Sequence, residues 1–204
     1  MYVPAPNAVD DESQVRAMVP VLGTAELVTV APDGYPVATL LPVLWDGDTV
    51  VAHMARANDH WRTLLEPTKA LLVVTGPQAY VSPSWYASKA EHGKVVPTWN
   101  YESVHLTGTV RVHDDVDWVR EAVTRLTDRH EQPRPEPWAV TDAPERYTSG
   151  MLRAIVGVEL TVERVEAKRK YSQNRSDADR AGVVDGLRDE ADPRASAVAD
   201  AMES

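Results

Sequence analysis

Alternating apolar and polar positions dominate the first third of the chain and predict a β-meander. Two Asp-Gly pairs, Asp33-Gly34 and Asp46-Gly47, interrupt this alternation. Asp-Gly is typical of two-residue hairpin turns, because glycine adopts the positive φ that such turns require. The three strands of the meander are predicted over residues 24–30, 35–45 and 48–55.

The rest of the chain combines strand-like segments with one clear helix and several loops. Residues 114–131 carry apolar side chains at helical spacing, with Val116, Val119, Val123 and Leu126 on the inner side. Stretches that contain Pro, Gly or Lys without any periodicity are predicted to be loops. The other predicted elements are helices between Asp10 or Asp11 and Gly23, over 55–66 and over 144–153, loops over 87–100 and 131–144, and strands over 69–76, 79–86, 103–113 and 154–167.

These elements predict a mainly β protein with flanking helices, in which about seven short strands form a small antiparallel barrel. We predict a barrel domain over residues 1–176 and an acidic helical extension over 177–204. The extension carries eight acidic residues against three arginines, which is typical of a solvated arm or a surface helix. The chain has no glycine-rich phosphate loop of the Rossmann or P-loop type.

Composition narrows the chemistry that the chain can perform. The 204 residues include no cysteine, which excludes disulfides, thiolate metal sites and a cysteine nucleophile. The formal charge of −10 disfavours direct binding to a nucleic acid backbone. The first twelve residues lack the basic and apolar regions of a secretory signal, and no apolar run is long enough for a membrane span. We therefore expect a cytoplasmic protein with no membrane partner.

Seven sequence blocks occur in a fixed order along the chain: MYVP, HMARANDHW, GPQAYVSPSWY, VPTWNYESVH, APERY, IVGVEL and KRKYSQNR. Together they resemble the PaiB-type family of FMN-binding split-barrel proteins, whose members are described as negative transcriptional regulators. The resemblance runs from residue 1 to about residue 188. It implies a split β-barrel that forms a homodimer, with two cofactor sites at the subunit interface.

The resemblance leaves two cofactors open. One branch of the family binds FMN and regulates transcription. Another branch, the piperazate synthases, depends on haem b and closes an N–N bond in N5-hydroxyornithine. Members of the regulator branch usually read Asn-Pro-Gln-Trp where this chain reads Asn58-Asp59-His60-Trp61. A neutral imidazole is a good axial ligand for haem iron, whereas a glutamine is a poor one. We therefore expect His60 to be the metal ligand of a haem enzyme, with FMN binding as the alternative.

Further cofactor-binding residues follow from the same resemblance. Arg56 is expected to hold a flavin phosphate or a haem propionate, since an arginine makes charge-assisted hydrogen bonds to either group. Large rings are expected to form a wall for a flat cofactor. The full set of expected cofactor-binding residues is His60, Arg56, Asn58, Trp61, Thr39, Leu41, Trp85, Trp99, Lys94, Asn174 and Arg175.

The haem interpretation also predicts a catalytic set for a small amino-acid substrate. A nearby acid would protonate the departing hydroxyl, and the candidates are Tyr86, Lys89 and His105. Binding the substrate in a cyclic pose would favour the attack of its α-amine within the same molecule. The FMN alternative predicts no catalytic residue.

Overall fold

A closed barrel of six strands forms the centre of the computed structural model, which describes residues 1–64 and 67–203. Around the barrel the strands follow the order β1-β2-β3-β6-β5-β4. This confirms the predicted mainly β fold with flanking helices. The strands are β1 (Thr24–Val30), β2 (Pro36–Asp46), β3 (Thr49–Ala55), β4 (Thr68–Val81), β5 (Thr98–His113) and β6 (Ile155–Lys170).

The two Asp-Gly turns are found where the sequence predicts them. Gly34 and Gly47 have φ values of 88° and 53°, which glycine adopts without steric cost. They join β1 to β2 and β2 to β3 as antiparallel neighbours. Along β1 every second side chain is buried, so one face of the hairpin packs into the barrel.

Six α-helices flank the strands in the described part of the chain. In α3 the carboxylate of Asp115 accepts hydrogen bonds from the backbone N–H groups of Asp117 and Trp118, which caps the helix start. Val119 and Leu126 are buried as predicted, whereas Val116 is 45% exposed because it occupies the first turn. The helices are α1 (Glu12–Leu22), α2 (Ser88–His92), α3 (Val116–Glu131), α4 (Glu145–Leu152), α5 (Asp177–Asp189) and α6 (Pro193–Glu203).

The predicted helix over 55–66 is replaced by a 3₁₀ helix, Asp59–Leu64, and its last two predicted residues lie outside the described residues. Two strands predicted over 69–76 and 79–86 are one strand, β4, followed by a 3₁₀ turn. Part of the predicted loop over 87–100 forms α2 and the start of β5. β4 continues through Gly76. A Cβ at this position would lie 2.3 Å from Cγ of Glu102, so a glycine here makes room for the Glu102 side chain.

The chain divides into two compact units, and β4, β5 and β6 contribute to both. The central unit contains Arg16–Val74 and His105–Val165. The terminal unit contains Met1–Val15, Thr75–Val104 and Glu166–Ser204. Within residues 1–64 and 67–203, no helix has both the length and the apolar content to cross a membrane.

Helices α5 and α6 are not a solvated arm, in contrast to the expectation from their charge. Val183, Leu187, Val198 and Ala199 are completely buried. They share one apolar cluster with strand residues of the terminal unit and with Tyr86. The acidic side chains lie on the other faces of both helices, apart from Asp179, whose buried carboxylate accepts hydrogen bonds from the backbone N–H and the hydroxyl of Ser88.

Candidate functional site

A buried polar cluster in the central unit contains His60, the residue expected to be a metal ligand. The imidazole of His60 is 3% exposed and lies between two threonines. Its Nε2 is 2.8 Å from Oγ1 of Thr29, and its Nδ1 is 2.8 Å from Oγ1 of Thr39. Asn58 joins the cluster, because its Nδ2 donates to Oγ1 of Thr39 at 3.3 Å.

Local backbone geometry fixes the imidazole in this position. Oδ1 of Asn58 accepts a hydrogen bond of 3.0 Å from the backbone N–H of His60, at the start of the 3₁₀ helix. The hydroxyl of Thr63 donates to the His60 carbonyl at 2.8 Å, and Nε1 of Trp61 donates to the Arg56 carbonyl at 2.9 Å. These bonds tie the short helix to the end of β3 and leave the ring directed at β1 and β2.

Burial favours the neutral form of the imidazole. Desolvation disfavours the charged form and lowers the pKa of His60 from its ordinary value. A neutral imidazole has one nitrogen that donates and one that accepts. Thr29 and Thr39 can satisfy both nitrogens in either tautomer, since a hydroxyl rotates to donate or to accept.

This arrangement does not fit an axial haem ligand at His60. Iron needs a bare imidazole nitrogen, and here each nitrogen already has a threonine hydroxyl at hydrogen-bond distance. Iron ligation therefore requires the ring to give up one of these bonds. Among residues 1–64 and 67–203, no group of three or more His, Asp or Glu side chains is placed to hold a metal ion.

The first half of β2 has a free backbone edge beside this cluster. Residues 36–42 pair with β1, whereas the pairing with β3 begins only at Val43. In the part of the chain that is described, residues 37–41 therefore have a strand on one side alone. At every second residue of such an edge, one N–H and one C=O point away from the paired strand. These groups are available to water or to an outside partner.

Arg56 does not present a free guanidinium to a cofactor. It forms a two-pronged ion pair with Asp114, in which Nη1 is 3.2 Å from Oδ2. Its Nε also donates to the Arg153 carbonyl at 3.0 Å. The ion pair lowers the pKa of Asp114. The expected phosphate or propionate role of Arg56 therefore has no support in this geometry, and the residue joins β3 to neighbouring segments.

The other expected site residues are distributed over both units. In the central unit, Leu41 is buried in the barrel and His105 is half-buried on β5. In the terminal unit, the guanidinium carbon of Arg175 lies 4.6 Å from the ring centre of Tyr86, whose buried hydroxyl has no partner among the described residues. Lys89 donates to the hydroxyl of Ser84. Three more expected site residues of the terminal unit are exposed: Lys94, Trp99 and Asn174.

Trp85 packs against α5, and its expected cofactor role stays a prediction. A Cβ at Gly182 would lie 2.1 Å from the Trp85 carbonyl oxygen, and one at Gly186 would lie 2.3 Å from its indole ring. The two glycines therefore let α5 approach Trp85 closely. The indole is partly buried and packs against the apolar cluster.

Three residues of interest were absent from the sequence predictions: Thr29, Lys168 and Lys170. Thr29 is 2% exposed and occupies a β1 position whose neighbours in the alternation, Ala25 and Leu27, face the core. A polar residue at an inward position of a strand is a usable signal, because buried hydroxyls need partners. Lys168 and Lys170 lie in the KRKYSQNR block, of which only Asn174 and Arg175 were expected to bind a cofactor.

Comparison with known proteins identifies the family. Residues 1–164 match the family described as "Putative FMN-binding domain". The "Protease synthase and sporulation protein PAI 2" of Bacillus subtilis (strain 168) is 31% identical over 207 residues, which cover 100% of this chain and 97% of that protein. An uncharacterised protein of Aspergillus fumigatus is 33% identical over 171 residues, or 68% of this chain and 66% of that protein.

Solved structures share the fold at low sequence identity. The FAD and haem binding protein from Mycobacterium smegmatis has a TM-score of 0.62 and 22% identity, covering 86% of this chain and 79% of that one. The flavocytochrome Anf3 from Azotobacter vinelandii has a TM-score of 0.58 and 19% identity, covering 85% and 74%. The family match over most of the chain and the likeness to PAI 2 confirm the PaiB-type resemblance, and the chain belongs to this FMN-binding-domain family.

Proposed function

We propose that this protein binds flavin mononucleotide, with the pyrimidine edge of the isoalloxazine ring against the free edge of β2. The observation that carries this proposal is the unpaired backbone of residues 37–41. A pyrimidine edge has an N–H donor between two carbonyl acceptors, which complements the N–H and C=O groups of a strand edge. The family membership and the flavin named for the M. smegmatis protein support the same ligand.

The chain's own residues would bind and orient the ring. Thr39 lies on the free edge, and its hydroxyl is held by the neutral His60 and by Asn58. This network fixes the strand where the ring would lie, so that its backbone groups are preorganised. A bound flavin would supply one- or two-electron redox chemistry. In this proposal His60 is a positioning residue and not a ligand to any metal.

A flavin analogue tests the contact with the free edge. We expect the protein to bind one FMN per chain and to bind N3-methyl-FMN at least tenfold more weakly, because methylation removes the N–H that pairs with a strand carbonyl. Equilibrium dialysis with each compound measures the ratio. Equal affinity for the two compounds, or no binding of FMN, would contradict the proposal.

A second candidate function is a haem b-dependent cyclase of the piperazate synthase type, acting on a small amino-acid substrate. The observation that favours it is the neutral, buried imidazole of His60, which is the protonation state that iron requires. The opposing observation is the pair of threonine hydrogen bonds. The same candidate requires Tyr86, Lys89 or His105 to act as an acid, and only loading with haem can test that role.

The substitution His60→Gln separates the two candidates. Glutamine retains one donor and one acceptor but is a poor iron ligand. For an FMN protein we expect the variant to bind FMN within about threefold of the wild type, since one hydrogen bond at most is changed. Spectra of both proteins, each mixed with haem or with FMN, provide the measurement. A sharpened and shifted Soret band in the wild type, with only the broad band of free haem in the variant, would favour haem ligation by His60, which the cyclase requires.

We also propose that the protein is a homodimer that pairs through the outer face of the β1–β2 hairpin. Val30, Leu40 and Tyr35 are 62%, 64% and 73% exposed there. Apolar surface of this kind is typical of interfaces. The charge of −10 disfavours a nucleic acid as the partner of the assembly.

Leu40→Glu tests this homodimer. Two like charges brought together at a twofold interface repel each other, so we expect a mass near 22.5 kDa for the variant and twice that mass for the wild type. Light scattering after gel filtration measures both. Val21→Glu, at an exposed position of α1 outside the hairpin, is the control and should remain dimeric. A wild-type monomer would contradict the proposal.

A further inference from the structure

A small cavity in the terminal unit is lined by two aromatic rings that meet at a steep angle. The rings of Tyr80 on β4 and Trp99 on β5 meet edge to face, with centres 6.3 Å apart and planes at 73°. These side chains are 47% and 52% exposed, and both line a cavity of about 180 Å³. Rings at such an angle form two walls of a corner, so a ligand in the cavity can contact aromatic surface on two sides.

The segment between α5 and α6 gives the cavity a negative charge. Glu190 and Asp192 line the cavity from this segment, and Arg194 lines it from the start of α6. Asp192 and Arg194 form an ion pair, with Nη2 2.7 Å from Oδ2, so their charges offset each other. Glu190 is exposed and forms no ion pair in the described part of the chain. One negative charge of the lining is therefore unpaired. The other lining residues are Gln78, Ala79 and Ala195.

The nearby lysines of β6 are bound to backbone carbonyls and are not among these lining residues. Nζ of Lys170 donates to the Trp99 carbonyl at 2.6 Å, and Nζ of Lys168 donates to the Tyr2 carbonyl at 3.3 Å. The first of these bonds ties β6 to the backbone at Trp99. Neither ammonium pairs with Glu190, so the carboxylate is available to a ligand.

The chemistry of the lining selects a quaternary ammonium group. The face of an aromatic ring attracts a cation, and this attraction is strongest for tryptophan. A primary ammonium carries three N–H donors that need acceptors, whereas a quaternary ammonium carries none and contacts ring faces through its methyl groups. With two rings and one free carboxylate, the cavity offers aromatic surface and charge rather than a set of acceptors.

The size of the cavity limits the ligand to a small head group. A volume of about 180 Å³ corresponds to roughly six water molecules at about 30 Å³ each. Sites for drug-sized ligands span roughly 300–1,000 Å³, so a flavin or a haem exceeds this cavity. The cavity therefore differs in ligand class from a cofactor site.

We propose that this cavity binds a trimethylammonium group, with Trp99 and Tyr80 as its walls and Glu190 as its counter-charge. The group belongs either to a free compound such as choline or to a trimethylated lysine side chain, and the experiment below distinguishes these sources. The inference goes beyond flavin binding and does not depend on it. Every lining residue belongs to the terminal unit, whereas the free edge of β2 belongs to the central unit.

Matched ligand pairs test the contribution of the positive charge. The pairs are choline with its neutral carbon isostere, and N-acetyl-trimethyllysine amide with its neutral carbon isostere. In each pair a carbon atom replaces the charged nitrogen, while size and shape are kept. We expect the wild type to bind the charged member of at least one pair about tenfold more tightly, because the ring faces and the carboxylate attract only the charge. NMR titration of the isotopically labelled protein gives each dissociation constant.

Substitutions in the lining locate the site. Trp99→Leu should reduce the preference for the charged member about fivefold, whereas Trp99→Tyr should keep most of it, since tyrosine retains an aromatic face. Glu190→Gln should reduce the preference about threefold, as expected for an exposed charge. Trp138→Leu removes a tryptophan of the central unit that is 46% exposed, and as the control it should preserve the preference.

Thermal unfolding monitored by circular dichroism establishes that each variant is folded. A preference that falls in Trp99→Leu and in Glu190→Gln but not in Trp138→Leu supports the site, and the pair that shows it identifies the source of the group. Equal binding of the charged and neutral members of both pairs by the wild type would overturn the proposal. A preference that persists in folded Trp99→Leu would overturn it as well.

Discussion

Val183→Asp is expected to lower the free energy of unfolding by about 4 kcal/mol, because it places a carboxylate among apolar side chains with no partner. Val183 is completely buried in the cluster formed by α5, α6 and the strands of the terminal unit. For a chain of this size the loss corresponds to a fall in melting temperature of about 8–16 °C. Calorimetry or urea unfolding measures the change.

A matched variant separates burial from added charge. Ala181 lies two residues before Val183 on α5 and is exposed. Ala181→Asp adds the same carboxylate to the same helix, and we expect it to lower the free energy of unfolding by only about 1 kcal/mol, from helix propensity and from repulsion by Asp177 and Asp185 at four residues' distance. If both variants are equally mild, α5 does not pack into a core in solution. That result would restore the expectation of a solvated arm.

The sequence contains an apolar stripe that indicates a buried C-terminal helix, but the many acidic residues of the same segment led to the prediction of a solvated arm. Ala195, Val198, Ala199 and Met202 are spaced by three, one and three residues, which is the apolar stripe of a helix. Two of the four are alanines, so the stripe is weakly hydrophobic beside the eight acidic residues of the same segment. Their packing against β4 and Tyr171 follows from tertiary contacts that local patterning does not contain.

The hairpins could be predicted because their signal is local. Asp33-Gly34 and Asp46-Gly47 define turn positions from two adjacent residues, and alternation then determines which face is buried. The length of β4 could not be predicted in the same way. Gly76 is a loop signal in isolation, and only the side chain of Glu102 on β5 explains why a glycine is needed inside the strand.

The candidate site was predictable in its members but not in its contacts. His60, Thr39 and Asn58 were selected from the sequence, and the structure brings them together. The partner of the second ring nitrogen, Thr29, is 31 residues away along the chain. From the sequence alone, His60 has a ring nitrogen available to ligate a metal. In the structure that nitrogen lies at hydrogen-bond distance from Thr29, so the residue is part of the barrel's hydrogen-bond network.

His60→Ala is expected to lower the free energy of unfolding by about 3 kcal/mol at pH 7.5. The change removes both threonine hydrogen bonds, leaves the buried Thr29 hydroxyl without its partner and creates a cavity of imidazole size. Urea unfolding of the single variants and of the double variant with Thr29→Val gives the coupling between the two residues. We expect a coupling of about 1 kcal/mol, and its absence would contradict the contact.

The same variant should reveal the neutral state of the imidazole through pH. Burial lowers the pKa of His60 below its ordinary value of 6.5, so below that pH the unfolded chain binds a proton that the folded chain does not. As the pH falls below 6.5, this group therefore lowers the free energy of unfolding of the wild type by up to about 1.4 kcal/mol per pH unit. The loss ends when the pH reaches the pKa of His60 in the folded chain. His60→Ala lacks this loss. The deficit, which is the free energy of unfolding of the wild type minus that of the variant, should therefore be smaller at pH 5.0 than at pH 7.5. A deficit that is constant across this range would mean that the ring protonates equally well in the folded and unfolded chains, which a ring buried between two threonines would not do.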